Sequence, residues 1–492
     1  MSTIRVDTSS EQIASGDYRK SLYINGEFRG GIGGGTAAVL TPATGDVYQE
    51  VGYGGQQDAD LALDAAAQAF GNWAAASVRQ RADSLNRVAG LLRERREQIG
   101  RVLCHESGKR LAEAIAEVNF SAEYFQWFAE EIRRPMGSIL SGDVASRRQW
   151  EIYEPRGVAG VLTPWNFPVS IQARKLAAAL AAGCTVVSRP SEKTPCSVVE
   201  LFRCLHDAGL PAGVANLVLG PPAEITERIF AHPSVRVVSF TGSTAVGKML
   251  MRLAADRVVR LALELGGNAP FIVHHDADLD AAVKGAMVAK FRNNGQSCIA
   301  ANRFLVHARR YEEFASKLAQ RVGVLRAGDP MQENVDLGPL IDERSKERLE
   351  AAVAEAMEKG ARQIHDDVKV PAVGAFVAPR ILCDVSTDTF VGCEEIFGPV
   401  ASLASYEDID EVLSRANSPS VGLAGYVYTS DLNMATRMAE SLRVGIVGLN
   451  NSLPAAAYSP MGGVKESGFG REGGEHGLRD FQDVKYVSIE LG

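Results

Sequence analysis

Short apolar segments alternate with helical segments between residues 158 and 273, and this alternation constrains the fold more than any other feature of the chain. The apolar segments have the length of buried strands and lie at 158–162, 185–188, 214–219, 235–241 and 269–273. Such alternation predicts a parallel sheet wrapped by helices. A second alternating region follows Cys298, with strand candidates at 304–307, 400–406 and 425–428. The sequence therefore predicts an α/β fold with a second α/β domain.

The segments outside these regions carry local signals of their own. Within the helical region 58–130, spacings of i, i+3, i+4 and i+7 place four apolar residues on one face, namely Leu85, Val88, Ala89 and Leu92. The C-terminal segment 484–491 is rich in β-forming residues and follows a glycine-rich stretch. A lone terminal strand usually joins a sheet made elsewhere, and a sheet of a neighbouring subunit is one option.

Charge and hydropathy exclude two classes of partner. The 492 residues include 52 Lys and Arg against 60 Asp and Glu, a net charge of −8 with no block of like charge. Nucleic acid is therefore not expected as a partner. The longest strongly apolar stretch, 176–187, falls short of the ~20 residues that a bilayer requires, and residues 1–10 lack an apolar core segment. We expect a soluble, cytoplasmic protein without a membrane partner.

The cysteines and histidines predict neither a disulfide framework nor a metal site. The 7 cysteines are odd in number, widely spaced and contain no Cys-x-x-Cys pair. His105-Glu106 lacks the second histidine of the zinc-protease motif His-Glu-x-x-His. No metal ligand is therefore assigned from the sequence.

A glycine-rich segment, Gly242 to Lys248 (GSTAVGK), follows a predicted strand and precedes a predicted helix. It resembles the phosphate loop of ATPases, but the next residue is Met249, and that loop needs Ser or Thr there to hold magnesium. The backbone N–H groups of such a turn and the positive end of the helix dipole still suit a pyrophosphate. A plain tight turn is the alternative reading.

Three residues in separate segments have side chains suited to covalent catalysis on a carbonyl group. Cys298 follows a polar, glycine-containing turn, where a thiol is either a nucleophile or a structural residue. Glu264 is flanked by leucines, so it is either a desolvated base with a raised pKa or a paired structural charge. The Asn166 amide can donate a hydrogen bond to a developing oxyanion.

Six segments together resemble, in order, the signatures of the NAD(P)-dependent aldehyde dehydrogenase superfamily. They are PWNFP (164–168), FTGST (240–244), LELGG (263–267), GQSC (295–298), EEIFGP (394–399) and GGVKESG (462–468). The resemblance implies a Rossmann-type cofactor-binding domain at 1–132 and 154–264 and a catalytic domain at 265–465. It also implies a small β oligomerisation arm at 133–153 and 478–492, and assembly into a homodimer or homotetramer.

The resemblance implies a role for each catalytic residue. Cys298 is expected to attack the aldehyde carbonyl, giving a thiohemiacetal and, after hydride transfer, a thioester. Glu264 is expected to activate the water that hydrolyses this thioester, while the Asn166 amide and the Cys298 N–H form the oxyanion hole. Lys175 and Glu472 match positions implicated in cofactor contacts or proton relay, and ordinary salt bridging is their alternative role.

The resemblance also implies a dinucleotide site. The expected cofactor-binding residues are Trp165, Arg189, Ser191, Glu192, Gly242, Ser243, Gly247, Glu395 and Phe397. The family commonly has lysine where this chain has Arg189. Glu192 is expected to bind the adenine ribose hydroxyls and repel a 2′-phosphate, which Arg189 partly offsets. NAD is therefore the expected cofactor, and NADP remains compatible.

Within the superfamily, the sequences around Arg174 and Arg292 look most like the succinate-semialdehyde dehydrogenase branch, where two arginines bind the substrate's distal carboxylate. A guanidinium binds a carboxylate at two points, so both residues are expected to select an anionic aldehyde. Ala455 and Ala456 stand about where that branch commonly offers a serine, so another carboxylate-bearing aldehyde fits as well. The alternatives are a neutral or aromatic aldehyde dehydrogenase and a non-catalytic binding or structural protein with the same fold.

Overall fold

The computed structural model describes residues 17–134, 137–364 and 368–491. The expectation about residues 1–10, and the parts of the predicted domains that fall at 1–16, 135–136, 365–367 and 492, lie outside the described residues. None of the described helices is long and apolar enough to cross a membrane.

The secondary structure of the described residues is as follows. The helices are α1 (Gln56–Ala75), α2 (Val78–Glu94), α3 (Arg96–Ser107), α4 (Leu111–Glu131), α5 (Pro168–Ala182), α6 (Cys196–Asp207), α7 (Pro222–Ala231), α8 (Thr244–Ala255), α9 (Leu279–Phe291), α10 (Tyr311–Gly323), α11 (Glu343–Glu358), α12 (Phe390–Cys393), α13 (Ile409–Asn417), α14 (Leu432–Ser441) and α15 (Gly474–Arg479). The strands are β1 (Leu22–Ile24), β2 (Glu27–Arg29), β3 (Thr36–Leu40), β4 (Val47–Gly52), β5 (Ser138–Leu140), β6 (Arg147–Pro155), β7 (Val158–Leu162), β8 (Thr185–Arg189), β9 (Ala215–Leu217), β10 (Val235–Thr241), β11 (Arg260–Glu264), β12 (Ala269–Val273), β13 (Ala301–His307), β14 (Arg362–Ile364), β15 (Arg380–Cys383), β16 (Val400–Tyr406), β17 (Val421–Gly422), β18 (Ala424–Tyr428), β19 (Ile446–Leu449), β20 (Val464–Lys465), β21 (Gly468–Phe469) and β22 (Gln482–Glu490).

The first sheet has the strand order β2-β1-β9-β8-β7-β10-β11-β21. Its central strands β9, β8, β7, β10 and β11 are parallel, as the alternating pattern predicts. Helices α1, α5, α6 and α7 pack against it. The predicted apolar face of α2 is buried, with Leu85, Val88 and Leu92 fully inaccessible to solvent. Strand β11, which ends at Glu264, was not among the predicted strands.

The second sheet has the strand order β14-β15-β16-β13-β12-β18-β19, and all its neighbours are parallel except the edge pair β14 and β15. The segment 269–273, grouped by sequence with the first region, is β12 of this second sheet. The two sheets have separate apolar cores, and the predicted α/β fold class is confirmed. The division into domains stays a prediction, which the separate cores support.

A third sheet consists of β5, β6 and β22. Strand β22 pairs antiparallel with β6 of its own chain along its full length, from Gln482 opposite Pro155 to Glu490 opposite Arg147. The terminal strand therefore completes a sheet within its own subunit, and no strand of a neighbour is needed. Apolar side chains remain exposed on this sheet, including Ile139 at 91% and Val484 at 57% of full exposure.

The chain passes directly from the first sheet to the second, between the carboxyl end of β11 and the amino end of β12. Glu264 is the last residue of β11, and Cys298 lies shortly before β13, the parallel neighbour of β12. The carboxyl edge of one sheet therefore faces the amino edge of the other at this junction.

Candidate active site

Cys298 lies in the turn between α9 and β13, and the local sequence explains the shape of this turn. Asn293, Asn294 and Gly295 have φ of 52°, 55° and 77°, a left-handed run that only asparagine and glycine tolerate readily. A Cβ at Gly295 would lie 2.1 Å from the carbonyl oxygen of Gly398, so no larger residue fits there. The polar turn noted in the sequence therefore fixes the backbone that carries the thiol.

The Cys298 side chain is partly exposed and opens into a cavity of about 440 Å³ between the two sheets. Several residues predicted from sequence line this cavity: Trp165, Asn166, Gly242, Ser243, Cys298, Glu395 and Phe397. Segments far apart in sequence thus meet around one thiol. The other predicted site residues are not among those that line it: Arg174, Lys175, Arg189, Ser191, Glu192, Gly247, Glu264, Arg292 and Glu472.

The thiol and the Glu264 carboxyl group are electrostatically linked. Burial, together with the negative charge of Glu264, raises the pKa of Cys298 to about 12. Burial and the nearby Glu472 raise the pKa of Glu264 to about 7, and neither of its carboxyl oxygens has a hydrogen-bond partner among the described residues. The thiol therefore stays protonated near neutral pH unless a base takes its proton, and Glu264 ionises in the pH range where it can act as one.

Glu472 lies between two cations beside Glu264. Its Oε2 is 2.5 Å from Arg174 Nε, and its Oε1 contacts Lys175 Nζ, which also donates to Ser239 Oγ at 2.9 Å. Burial by itself raises the pKa of Glu472, but the two cations outweigh burial and hold the pKa below its usual value. Glu472 therefore stays ionised and acts as the negative neighbour that raises the pKa of Glu264.

The Asn166 amide is held beside the turn that carries Cys298. Its Nδ2 donates to the Gln296 backbone carbonyl oxygen at 3.2 Å. The backbone carbonyl oxygen of Asn166 accepts from Lys109 Nζ at 2.9 Å and from Asn293 Nδ2 at 3.0 Å. The Cys298 N–H takes no part in the backbone hydrogen bonds of the turn. Two N–H donors therefore lie near the thiol, as an oxyanion hole requires.

The glycine-rich segment forms the predicted strand, turn and helix. Strand β10 ends at Thr241, and Ser243 caps α8 by accepting from the Val246 N–H at 3.4 Å. A Cβ at Gly247 would come within 2.6 Å of the Leu265 side chain, so glycine lets α8 pack closely on the segment after β11. The α8 N-terminus therefore directs backbone N–H groups to the cavity, where they suit a pyrophosphate.

The opposite wall of the cavity carries Glu395 and Phe397. Glu395 Oε1 accepts from the Gly267 N–H at 3.3 Å, and a Cβ at Gly266 would lie 2.8 Å from Glu395 Oε2. Burial raises the pKa of Glu395 to about 7. Phe397 meets Trp165 edge to face at 5.7 Å between ring centroids. A carboxyl acceptor and a pair of rings fit a nicotinamide riboside, and the Gly266 backbone leaves room for the ribose.

Arg189 is the last residue of β8, and Ser191 and Glu192 follow it. The carboxyl end of β8 lies at the same edge of the sheet as that of β10. Arg189 Nη2 is 2.6 Å from Glu192 Oε2 and also donates to the Gly220 carbonyl oxygen at 3.3 Å. Ser191 is buried, and its Oγ accepts from the Lys193 N–H. The charge of Glu192 is therefore partly neutralised by Arg189, an ion pair that spacing alone did not predict.

The two arginines expected to bind substrate differ in their surroundings. Arg174 is buried on α5, where it pairs with Glu472 and contacts Met461 Sδ. Arg292 is half-buried, lies 5.4 Å from the Phe167 ring centroid and has no carboxylate partner among the described residues. Arg292 therefore has a free guanidinium, whereas the charge of Arg174 is already shared with Glu472.

Sequence reasoning missed three buried charged residues that support the site. Lys109 pairs with Glu117, and Glu117 Oε1 accepts from the N–H groups of Val169 and Ser170 at the start of α5. Lys290 donates to Asn302 Oδ1 at 3.0 Å and to the Ile396 carbonyl oxygen at 3.3 Å, which ties the Glu395 segment to α9. The backbone groups that Glu117 and Lys290 hold are distant in sequence, so only the presence of a charged residue in an apolar helix could have indicated these contacts.

A dinucleotide site that faces a thiol is typical of oxidoreductases that form a covalent intermediate with their substrate. Residues 31–487 match the family model described as Aldehyde dehydrogenase family. The chain belongs to this family, and it is an NAD(P)-dependent aldehyde dehydrogenase. The resemblance drawn from the six signatures, including the semialdehyde branch, is confirmed.

Three relatives illustrate the similarity. The chain is 42% identical to the NADP(+) succinate-semialdehyde dehydrogenase GabD of Escherichia coli over 96% of its length and 98% of that protein's. It is 40% identical to the glutarate-semialdehyde dehydrogenase of Pseudomonas putida, with the same coverage of each chain. The crystal structure of Staphylococcus aureus betaine aldehyde dehydrogenase with NAD+ is 31% identical, with a TM-score of 0.93 over 99% of this chain and 97% of that one.

Proposed function

We propose that this enzyme oxidises an aldehyde that carries a distal carboxylate, such as succinate semialdehyde or a longer ω-semialdehyde, to the dicarboxylic acid. The observation that carries the proposal is the unpaired guanidinium of Arg292 beside Phe167, close to the turn that carries Cys298. A free, half-buried guanidinium favours a two-point contact with a carboxylate. The succinate- and glutarate-semialdehyde dehydrogenases among the relatives support the same substrate class.

The residues perform the reaction in four steps. Glu264 takes the Cys298 proton as Sγ bonds the aldehyde carbon, and the Asn166 amide and the Cys298 N–H stabilise the resulting oxyanion. A bound nicotinamide would supply the acceptor for the hydride of the thiohemiacetal carbon, and Glu395 and Phe397 would hold it in the cavity. Glu264 loses this first proton to solvent and then takes a proton from the water that attacks the thioester. Breaking the carbon–sulfur bond releases the acid, and Glu264 gives the proton that it took from water to the sulfur, which returns the thiol. Lys175 and Glu472 support these steps by setting the charge beside Glu264.

Replacing Arg292 by alanine tests the substrate class. A charge-assisted contact contributes about 1.5 to 3 kcal/mol, so kcat/KM for succinate or glutarate semialdehyde should fall roughly 10- to 150-fold. Butanal, which has no carboxylate, should lose far less. Steady-state kinetics with NAD on these three aldehydes measure the difference.

Arg174 supplies a matched comparison in the same experiment. Because Arg174 pairs with Glu472 beside the base, Arg174→Ala should slow the oxidation of both charged and neutral aldehydes. Any loss of a contact with the substrate carboxylate would add to this effect for the charged aldehydes alone. If Arg292→Ala also slows both classes equally, the carboxylate contact is wrong and a neutral or aromatic aldehyde becomes the better substrate. The apolar Ala455 and Ala456, in place of a hydroxyl group, favour that second candidate.

We propose that NAD is the preferred cofactor, because Glu192 opposes a 2′-phosphate. The Arg189 ion pair weakens this repulsion, so the preference should be moderate. Glu192→Gln keeps the size and removes the charge, and it should raise kcat/KM for NADP by about tenfold, or ~1.4 kcal/mol. Parallel kinetics with NAD and NADP measure the change. A wild-type enzyme that already prefers NADP would show that Arg189 outweighs Glu192.

We propose that the third sheet, in the predicted arm 133–153 and 478–492, joins subunits into a homodimer or homotetramer. Val484 and Tyr486 lie on one face of β22 and are 57% and 53% exposed, which suits an apolar contact between subunits. The double change Val484→Asp and Tyr486→Asp should lower the native mass measured by light scattering. Lys485→Gln, on the other face, should leave it unchanged. Equal masses for all three proteins would exclude this sheet from the contact.

We also propose that the enzyme works in the cytoplasm. The reaction needs Cys298 as a reduced thiol, and reducing compartments preserve thiols. All seven cysteines are free in the structure, in keeping with such a compartment. Activity assays on fractionated cells should place the enzyme in the soluble cytoplasmic fraction.

A further inference from the structure

Three histidines and one aspartate meet at the edge of the second sheet that is remote from Cys298. His274, His275 and Asp276 directly follow β12, and His307 is the last residue of β13. Because β12 and β13 are parallel neighbours, with Val273 opposite Val306, both carboxyl ends lie at the same edge. The His307 ring centroid is 5.7 Å from that of His274 and 5.1 Å from that of His275.

The donor atoms of three of these side chains are close enough to share one ion. One donor atom from each of His274, His275 and Asp276 lies within 4.8 Å of the other two. Tetrahedral zinc with bonds of about 2.0–2.1 Å places its donors roughly 3.3 Å apart. His274 and His307 are buried, whereas His275 is exposed, so rotation of the His275 side chain can bring its ring nitrogen closer to both buried rings.

In both buried histidines, one ring nitrogen already takes part in a hydrogen bond. His274 Nδ1 bonds with the Tyr406 hydroxyl at 3.2 Å, and His307 Nδ1 accepts from the Arg309 N–H at 3.2 Å, which leaves Nε2 of both rings available. Such bonds to the second nitrogen orient metal-binding histidines and fix their tautomer.

Hydrogen bonds also orient the Asp276 carboxylate. Asp276 accepts from Thr429 Oγ1 at 2.8 Å and from the Ser430 N–H at 3.1 Å, just after β18. These contacts orient the carboxylate while leaving further lone pairs on its oxygens. The cluster thus draws on the ends of three neighbouring strands of the second sheet.

We propose that His274, His275, Asp276 and His307 form a binding site for a first-row divalent transition ion, of which Zn²⁺ fits the imidazole and carboxylate donors best. The five residues of β12 separate the site from the junction that holds Cys298 by about 16 Å. The ion would join the ends of β12, β13 and β18 and stabilise the second sheet, without taking part in aldehyde oxidation.

Zinc binding to the full-length protein, with any affinity tag removed, tests the proposal by titration calorimetry. The wild type should bind one Zn²⁺ per chain at this site, and loss of one ligand in His275→Ala or His307→Ala should weaken binding by about 100-fold. His476→Ala, at an exposed histidine elsewhere, should bind as the wild type does. Zn²⁺ should also raise the unfolding temperature of the wild type but not of His275→Ala, which should keep normal aldehyde turnover.

Cobalt distinguishes this site from the cysteine thiols. Co²⁺ at the cluster should give visible d–d absorption without a thiolate charge-transfer band, and His275→Ala should remove the absorption. A thiolate band that disappears in Cys298→Ala would place the ion on the nucleophile and overturn the proposal. Equal zinc affinity in the wild type and His275→Ala would also overturn it. Loss of binding in His275→Ala but not in His307→Ala would remove His307 from the ligand set.

Discussion

Replacing Cys298 by alanine should abolish aldehyde oxidation, with a loss on the order of 10⁴-fold or more, because no other group can form the covalent intermediate. Dinucleotide binding should change little, since the thiol is only one of many groups around the cavity. NADH formation at 340 nm measures the first effect. Quenching of tryptophan fluorescence on addition of NAD measures the second, because Trp165 lines the same cavity.

Cys393 provides the matched control for this experiment. It is an exposed free thiol that does not line the cavity, so Cys393→Ala should keep wild-type turnover. Iodoacetamide should inactivate the wild type and Cys393→Ala in the same way. Appreciable NADH formation by Cys298→Ala would rule out Cys298 as the nucleophile.

Replacing Glu264 by glutamine should slow steady-state turnover by about 10²- to 10⁴-fold, because the water that hydrolyses the thioester loses its base. If proton removal from the thiol is less affected than hydrolysis, rapid mixing should show a burst of NADH before the slow steady state. In the wild type, the base acts only when ionised, and its pKa is raised to about 7 by burial and Glu472. Activity should therefore fall as the pH drops through about 7.

Glu472→Gln tests the physical cause of this pH dependence. Removing the negative charge of Glu472 removes one source of the raised pKa and leaves Arg174 and Lys175 without their shared anion. Both effects lower the pKa of Glu264, so the acidic limb of the pH profile should move to lower pH. A profile that keeps its position would show that Glu472 does not control the base. A normal steady rate in Glu264→Gln would remove Glu264 from the mechanism.

The local pattern of apolar and polar residues was sufficient to predict most of the strands of the two main sheets. The strands at 158–162, 235–241, 269–273 and 400–406 match β7, β10, β12 and β16 at both ends, because buried parallel strands are short, continuous apolar runs between polar turns. Strand β11 was not predicted from the sequence, because it begins at the exposed Arg260 and ends at the buried Glu264. These two charged residues leave an apolar run too short to indicate a strand.

The positions of the candidate site residues followed from motif order, but their pairings did not. The sequence placed Cys298 after a polar turn and Ser243 at a helix start, since both depend on backbone conformations that a few consecutive residues decide. It could not show that Arg174 pairs with Glu472, or that Arg292 has no carboxylate partner among the described residues. Such pairs join residues hundreds of positions apart, and no local pattern encodes them.

By itself, then, the sequence determined the α/β class, the family and the segments that carry the thiol, the base and the dinucleotide turn, because each rests on local hydrophobic pattern or a contiguous motif. The tertiary structure alone decided that β22 pairs with β6 of its own chain and that His307 lies beside His274 and His275. Strand register and side-chain clustering depend on long-range packing of whole sheets, which brings together residues that have no relation along the chain.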